Sequence, residues 1–377
     1  MKLLVLLMAA MLVLVSGCAG QPIPQASTVA TDGGTASTST ATSAAPGGKP
    51  WPTKSWSTDT PESQDISSSG LAKADERIRD NYPNAYSLLV VRHGYLVYEK
   101  YYNGMGQDNA NQVYSVTKSV LSALTGIALQ QKLISGTGQT VFELLPEYFD
   151  EAGDPGKKEI TIKNVLTMSG GLESIDNDYG PFFSSPDWLA YTLSRPLTNK
   201  PGTKFVYNTG LVQCLSDIIS KTSGMDARKY ANKYLFSELG INAGNWRKDS
   251  SGHYAGGTGL CLAPRDMAKF GYLYLNNGQW DGRQIIPQDW VEESTTKQIQ
   301  ASDTNDYGYL FWLETVHDSV KNVDYDTYRA DGAGGQKIFV VPDLDIVVVV
   351  TADERKKSVN GADTQGIITE YVLPSVQ

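Results

Sequence analysis

The sequence predicts an α+β fold: one antiparallel sheet assembled from both chain ends and flanked by helices, with a mainly helical second lobe between the two strand sets. Three observations predict it. A hairpin-like pair of strand patterns lies near residue 90, a second pair lies beyond residue 335, and most of the chain between them carries helical spacing.

The elements follow in order from residue 1. Lys2 precedes an apolar run from Leu3 to Val15, too short to span a bilayer comfortably, which reads as a secretory signal. From Ala19 to about Pro50 the chain is Ser, Thr, Ala, Gly and Pro, a composition that buries too little surface to offset ordering entropy. Such a tether of roughly thirty residues has an end-to-end distance of roughly 30 Å. We place the domain boundaries at 1–17 for the leader, 18–62 for the linker and 63–377 for one folded domain.

Helical spacing at Leu71, Ala74 and Ile78 opens the folded domain. Two strands follow, Tyr86 to Arg92 and Tyr95 to Tyr102, joined by the turn signal His93-Gly94. At the far end, Gln336 to Val341 and Asp345 to Thr351 read as strands around Pro342-Asp343-Leu344, and a helix closes the chain around Ile367 to Val372.

Composition narrows the function classes. A formal net charge of -9 provides no basic field for nucleic acid. The histidines at 93, 253 and 317 show no paired ligand spacing, so no metal site is expected, and His93 sits at a turn. Cys214 and Cys261 are too few for a disulfide scaffold and stand either as buried thiols or as one pair. No Gly-x-Ser-x-Gly elbow occurs.

The chemistry centres on Ser115-Val116-Thr117-Lys118. A Ser-x-x-Lys run arises readily by chance, and Ser294-Thr295-Thr296-Lys297 is a second one, so context decides. Ser115 follows the strand-like Gln112-Val113-Tyr114 and precedes an apolar helical face through Val116, Val120, Leu121, Leu124, Ile127 and Ala128. It therefore stands at a helix start, where unpaired N–H groups and the helix dipole favour an anionic intermediate, with Lys118 one turn along the same face. A serine hydroxyl needs a base, and a lysine serves as one once its ammonium is destabilised. The plain alternative is that Ser115 is only a helix cap.

Two further elements join it. Tyr207, after the Pro201-Gly202 turn, is a phenol suited to shuttle a proton near a lysine. In Ala333-Gly334-Gly335-Gln336, glycines lead into a strand and leave room for substrate against the backbone. The loop residues Asp176, Asp178, Tyr179 and Trp188 are candidates for shaping specificity, or for core and surface roles.

Taken together, and with Ile160 to Glu173, Ala263 to Gly271 and Trp290-Val291, these stretches resemble the serine β-lactamase and penicillin-binding protein superfamily. Within it the likeness is to the branch of class C-like esterases and 6-aminohexanoate-dimer hydrolases, over roughly Leu71 to Pro374. The resemblance implies a β-lactamase-like fold and a cofactor-free acyl hydrolase. Ser115 matches the nucleophile, Lys118 its lysine and Tyr207 the tyrosine of Tyr-x-Asn, with the N–H groups of Ser115 and Gln336 as oxyanion donors. Asn208, Thr209, Gly334, Gly335 and Trp188 are the implied substrate-binding positions. The third Tyr-x-Asn position is Thr209, with Asn208 the alternative after a backbone shift, and Ala333 stands where relatives carry a basic residue for a substrate carboxylate. Ester or amide hydrolysis is therefore expected ahead of β-lactam hydrolysis, the alternative being a surface-tethered penicillin-binding or sensor protein with little turnover.

Val15-Ser16-Gly17-Cys18 resembles the lipobox of bacterial lipoproteins. It implies a lipidated Cys18 and an exported protein anchored to the cell envelope, its partners a small ester, amide or peptide-like substrate and, through the lipid, a membrane.

Overall fold

The structure, a computed structural model, describes residues 49–150, 153–359 and 363–377. The predicted leader, Cys18 and the linker as far as residue 48 lie outside the described residues.

Eight strands form one antiparallel sheet, in the order Tyr95–Tyr101, Ala85–Arg92, Ile346–Ala352, Gln336–Val341, Val323–Gly332, Trp312–Asp318, Asp306–Tyr307 and Ile299–Gln300. The N-terminal hairpin thus pairs directly with the last strand, Val90 opposite Val348, as the reading from both chain ends requires. His93 (φ 51°) and Gly94 (φ 86°) make the hairpin turn.

Both faces of the sheet are covered, which explains why its central strands are apolar runs rather than alternating ones. Leu89, Val91, Val347 and Val349 face the large core shared with the helical lobe. Leu88, Val90, Val348 and Val350 face the helix Ser68–Asn81 and the C-terminal helical turns around Ile367 to Leu373. On the lobe side, the helix Pro264–Leu275 lies so close to the sheet that a Cβ on Gly271 would come 2.6 Å from Ile338 and Val347.

Two expectations need correction. The folded part begins before residue 63: Pro52 and Trp56 are buried, Trp51 packs on Tyr272 and Trp280, and Thr53 accepts a hydrogen bond from the Trp280 indole at 2.7 Å. Residues 49–62 are therefore not linker, because two tryptophans in this stretch have an apolar surface to cover. The middle of the chain also yields more strand than its pattern suggests, since Trp312–Asp318 and Val323–Gly332 form a long hairpin. Its outer part alternates buried positions with exposed ones, the period of a half-buried strand, but the aspartates at 318, 324 and 326 have low strand preference and weaken the signal.

Candidate active site

The helix Val116–Gln130 carries the site, and every residue from Val116 to Ala128 is buried. Ser115 occupies its N-cap position, yet its side chain caps no backbone group. The hydroxyl is left for other partners, against the plain capping reading. Tyr114 just before it has φ 48°, a costly conformation for a bulky residue that delivers Ser115 onto the helix end.

Lys118 is 1 % exposed. Its Nζ lies 2.9 Å from Ser115 Oγ, 3.0 Å from Thr209 Oγ1 and 2.7 Å from the Gly257 carbonyl oxygen. No carboxylate touches it among the described residues. Burial pushes the ammonium down to about 7, with the Asp176 charge pulling the other way. The ring of Tyr207 lies 4.8 Å from Nζ, and its phenol is hydrogen-bonded to Ser115. Tyr207 stacks on Trp312, with ring centroids 5.8 Å apart, while Ser174 Oγ donates to its carbonyl at 2.7 Å. Burial raises the Tyr207 phenol, and the Ser115 hydrogen bond only partly opposes this, so Tyr207 is a proton-bearing phenol at neutral pH rather than a phenolate.

The structure therefore brings Ser115, Lys118, Tyr207 and Thr209 together. It resolves the Tyr-x-Asn position in favour of Thr209: Asn208 is buried, donates to the Glu173 carbonyl and accepts from the Leu211 N–H, both at 3.3 Å. Asn208 holds a turn and is not a substrate contact.

One other implied contact is also corrected. Trp188 is 2 % exposed, stacked on Phe182 and edge-on to Phe183, so it is core rather than cleft wall. Gly334 and Gly335 line a cavity together with Asn84, Asp331 and Glu354, while on the side where a Cβ would stand they pack against the chain, 2.4 Å from Glu354 Cα and 2.6 Å from Thr364 Cγ2. Gln336 is fully buried, with its side-chain oxygen accepting from the Ala352 N–H at 3.2 Å. What the glycines achieve is proximity: Gly332 sits against the Val113 carbonyl, where a Cβ would come within 2.3 Å, pinning the hairpin to the strand that leads into Ser115.

Sequence reasoning missed Gly257 and gave Asp176 only a place among candidates for specificity. Gly257 supplies the Lys118 acceptor, and it approaches because a Cβ there would meet the Thr209 carbonyl at 2.3 Å. The glycine-rich run Gly256-Gly257-Thr258-Gly259 was its available signal. Asp176 accepts from Thr209 Oγ1 (2.7 Å), the Thr209 N–H (2.6 Å), Ser174 Oγ (3.1 Å) and the Tyr179 hydroxyl. Asp178 instead caps the Gly180 N–H.

The rival Ser294 donates to the Trp290 carbonyl inside a helix, while Lys297 pairs with Asp306 at the surface, so that run has no catalytic geometry. Cys214 is a free buried thiol, which excludes its pairing with Cys261. The donor group nearest to a metal pattern is Asp187, Asp249 and His253, with ligand atoms within 4.8 Å of one another. Its atoms already have protein partners: Asp249 accepts from the Trp188 and His253 N–H groups, Asp187 accepts from the Ala190 N–H, and the His253 ring lies 2.9 Å from Asp217.

A sheet built from both chain ends, with a helical lobe carrying a buried Ser-x-x-Lys at its edge, defines the β-lactamase and penicillin-binding protein class. The beta-lactamase family matches residues 76–370, and the chain belongs to that family of hydrolases. It is 23% identical to a 6-aminohexanoate-dimer hydrolase of Paenarthrobacter ureafaciens over 239 residues, 59% of each chain. Among solved structures it is similar to EstCE1, described as a hydrolase with promiscuous acyltransferase activity (TM-score 0.68, 14% identity, 82% of this chain and 98% of that one). It is also similar to a D-stereospecific amidohydrolase from Streptomyces sp. (TM-score 0.63, 17% identity, 81% and 98%).

Proposed function

We propose that the protein is a serine hydrolase that cleaves an ester or amide through an acyl-enzyme on Ser115. The observation that carries this reading is Lys118: a buried lysine in contact with a serine hydroxyl and with no carboxylate is poised to be neutral near pH 7. A structural lysine has no need of that arrangement.

Ser115 Oγ attacks the carbonyl carbon while its proton passes to Lys118 Nζ, and the Ser115 N–H at the helix start stabilises the oxyanion. The Tyr207 phenol then protonates the leaving alkoxide or amine, and the Lys118 ammonium returns a proton to the Tyr207 phenolate by way of water entering as the leaving group departs, since the acylated Ser115 oxygen has no proton to relay. Lys118, neutral again, takes a proton from water as that water attacks the acyl carbon, and Ser115 leaves reprotonated. The 6-aminohexanoate-dimer hydrolase and the amidohydrolase support an amide, EstCE1 an acyl group more broadly. Ala333 carries no base where relatives bind a substrate carboxylate, and Lys337 is buried and paired with Asp331 and Asp363, which supports an ester or amide substrate ahead of a β-lactam. The sequence at Cys18 further supports a lipid-tethered envelope enzyme, which metabolic labelling with a palmitate analogue, lost in Cys18→Ala, would test.

The decisive experiment incubates residues 49–377 with p-nitrophenyl esters, small amides and a chromogenic cephalosporin, beside Ser115→Ala. Turnover of an ester or amide that vanishes in Ser115→Ala is the expected result. Turnover that survives the substitution overturns the assignment, and labelling of Ser115 by a fluorescent penicillin without any turnover favours the sensor reading instead.

A further inference from the structure

Lys118 has three neighbours in hydrogen-bonding reach, and a neutral amine has two N–H donors and one lone pair. For catalysis the lone pair must point at the Ser115 hydroxyl. The Gly257 carbonyl can only accept, so it takes one N–H. Thr209 is the ambiguous partner, because a hydroxyl can donate as well as accept. If Thr209 donated to Lys118, it would occupy the lone pair and leave Ser115 without a base.

Asp176 removes that ambiguity. Its Oδ1 takes the Thr209 hydroxyl proton at 2.7 Å and its Oδ2 takes the Thr209 N–H at 2.6 Å, while Ser174 and Tyr179 donate to the same carboxylate. The two Thr209 donors and the Tyr179 hydroxyl converge on one carboxylate, with Ser174 sharing its proton between Asp176 and the Tyr207 carbonyl, which fixes the orientation of Asp176 and of Thr209. We propose that Asp176 is a positioning residue for acyl transfer: by taking the Thr209 hydroxyl proton it makes Thr209 an obligatory acceptor toward Lys118 and reserves the lysine lone pair for Ser115. The proposal rests on the reading of Ser115 as nucleophile. It accounts for a threonine at the position where an asparagine is expected, since the carboxylate supplies the polarity that the side chain alone does not dictate.

The other groups facing Lys118 do not duplicate this role. Ser115 lies on the lysine's own helix, Tyr207 presents its ring face and a raised phenol, and Gly257 gives a carbonyl. Tyr179 reaches Asp176 and lies 3.5 Å from Thr209, Asp331 bears on Tyr207 and is paired with Arg329 and Lys337, and Glu354 bears on Tyr114 and Tyr179. Asp176 is the charge that favours the protonated lysine, so removing it shifts the onset of activity to lower pH.

The test follows the rate of fluorophosphonate labelling at Ser115 between about pH 5 and 9 in wild type, Asp176→Asn, Thr209→Val, Thr209→Ser and the Asp176→Asn/Thr209→Val double variant. In Asp176→Asn the acid limb is expected to move down by about half a pH unit or more and the plateau to fall roughly tenfold. Thr209→Val should lose a similar factor, Thr209→Ser should stay within about threefold of wild type, and the double variant should be no slower than the slower single one, because one chain of bonds is broken once. An acid limb left in place in Asp176→Asn, or single losses that multiply in the double variant, overturns the proposal. Should Asp176→Asn fail to fold, the contrast between Thr209→Val and Thr209→Ser decides, and equal behaviour of the two overturns it. A wild type unlabelled at Ser115 while folded removes the nucleophile reading itself, a failure distinct from the others.

Discussion

At the scale of single residues the site is governed by who holds a proton. Lys118, pushed down to about 7, is protonated in mildly acidic solution and cannot accept the Ser115 proton there, so kcat/KM for an ester should rise with pH along a limb centred near 7. Tyr207 is the opposite case, a phenol whose proton is held tightly and is spent only on a leaving group that needs it. Tyr207→Phe should therefore cost roughly 10² to 10⁴ in kcat for an amide, whose amine must be protonated to depart, and far less for a p-nitrophenyl ester, whose nitrophenolate leaves unaided. Parallel kinetics on the two substrates check this, and equal losses on both would remove Tyr207 from the acid role. Ser115 and Lys118 could be read from the sequence because one helix sets their spacing. Thr209 and Gly257 meet Lys118, and Asp176 meets Thr209, only through tertiary folding, the first two across sequence separations of 91 and 139 residues, and no local pattern encodes such a meeting.

At the scale of elements, position is set by close packing around the nucleophile helix. Gly126 on that helix faces the Trp290 indole, with a Cβ there placed 2.5 Å from the ring, so Gly126→Ala must push either the helix or the tryptophan aside. We expect a loss of about 1 to 3 kcal/mol in urea unfolding, with kcat reduced as Ser115 shifts with its helix. The same reasoning applies to the segment that composition assigned to a linker. Trp56 is 8 % exposed against the lobe, and Trp56→Ala should cost about 3 kcal/mol, so a fragment starting at residue 63 should melt well below one starting at residue 49. Equal melting temperatures would show the segment to be dispensable. The strands Ala85–Arg92 and Ile346–Ala352 were readable because both faces are buried and their runs are mostly apolar, whereas the hairpin from Trp312 to Gly332 carries aspartates at 318, 324 and 326, whose low strand preference weakens its alternating pattern.

At the scale of the whole molecule, two titrations, one of a buried and one of a partly exposed group, should tilt stability in opposite senses. Lys118 has its pKa lowered from 10.5 to about 7 on folding, so between these values the unfolded chain binds more protons than the folded one, and this group makes stability rise with pH from about 7 upward. His253 is the reverse: the Asp217 carboxylate, then the charges of Asp249 and Asp187, raise it from 6.5 to about 9 against the opposing effect of burial. Its contribution is fully present below 6.5 and is lost as pH rises through 9. His253 also joins distant parts of the chain, because its partners sit on the helix Gln213–Ser223 (Asp217), in its own turn (Asp249) and at the cap of the helix Trp188–Ser194 (Asp187). Between about pH 7 and 9 the two slopes oppose each other, so the unfolding midpoint of the wild type should change little there even though neither group is silent. Single variants separate them. His253→Gln should leave a midpoint that climbs from pH 7 toward 10, and Lys118→Met one that falls between pH 7 and 9, both read from urea titrations at a series of pH values. A Lys118→Met protein whose midpoint still climbs over that range would mean that the lysine is not held neutral by the fold, and the base at the centre of the proposed chemistry would have to be sought elsewhere.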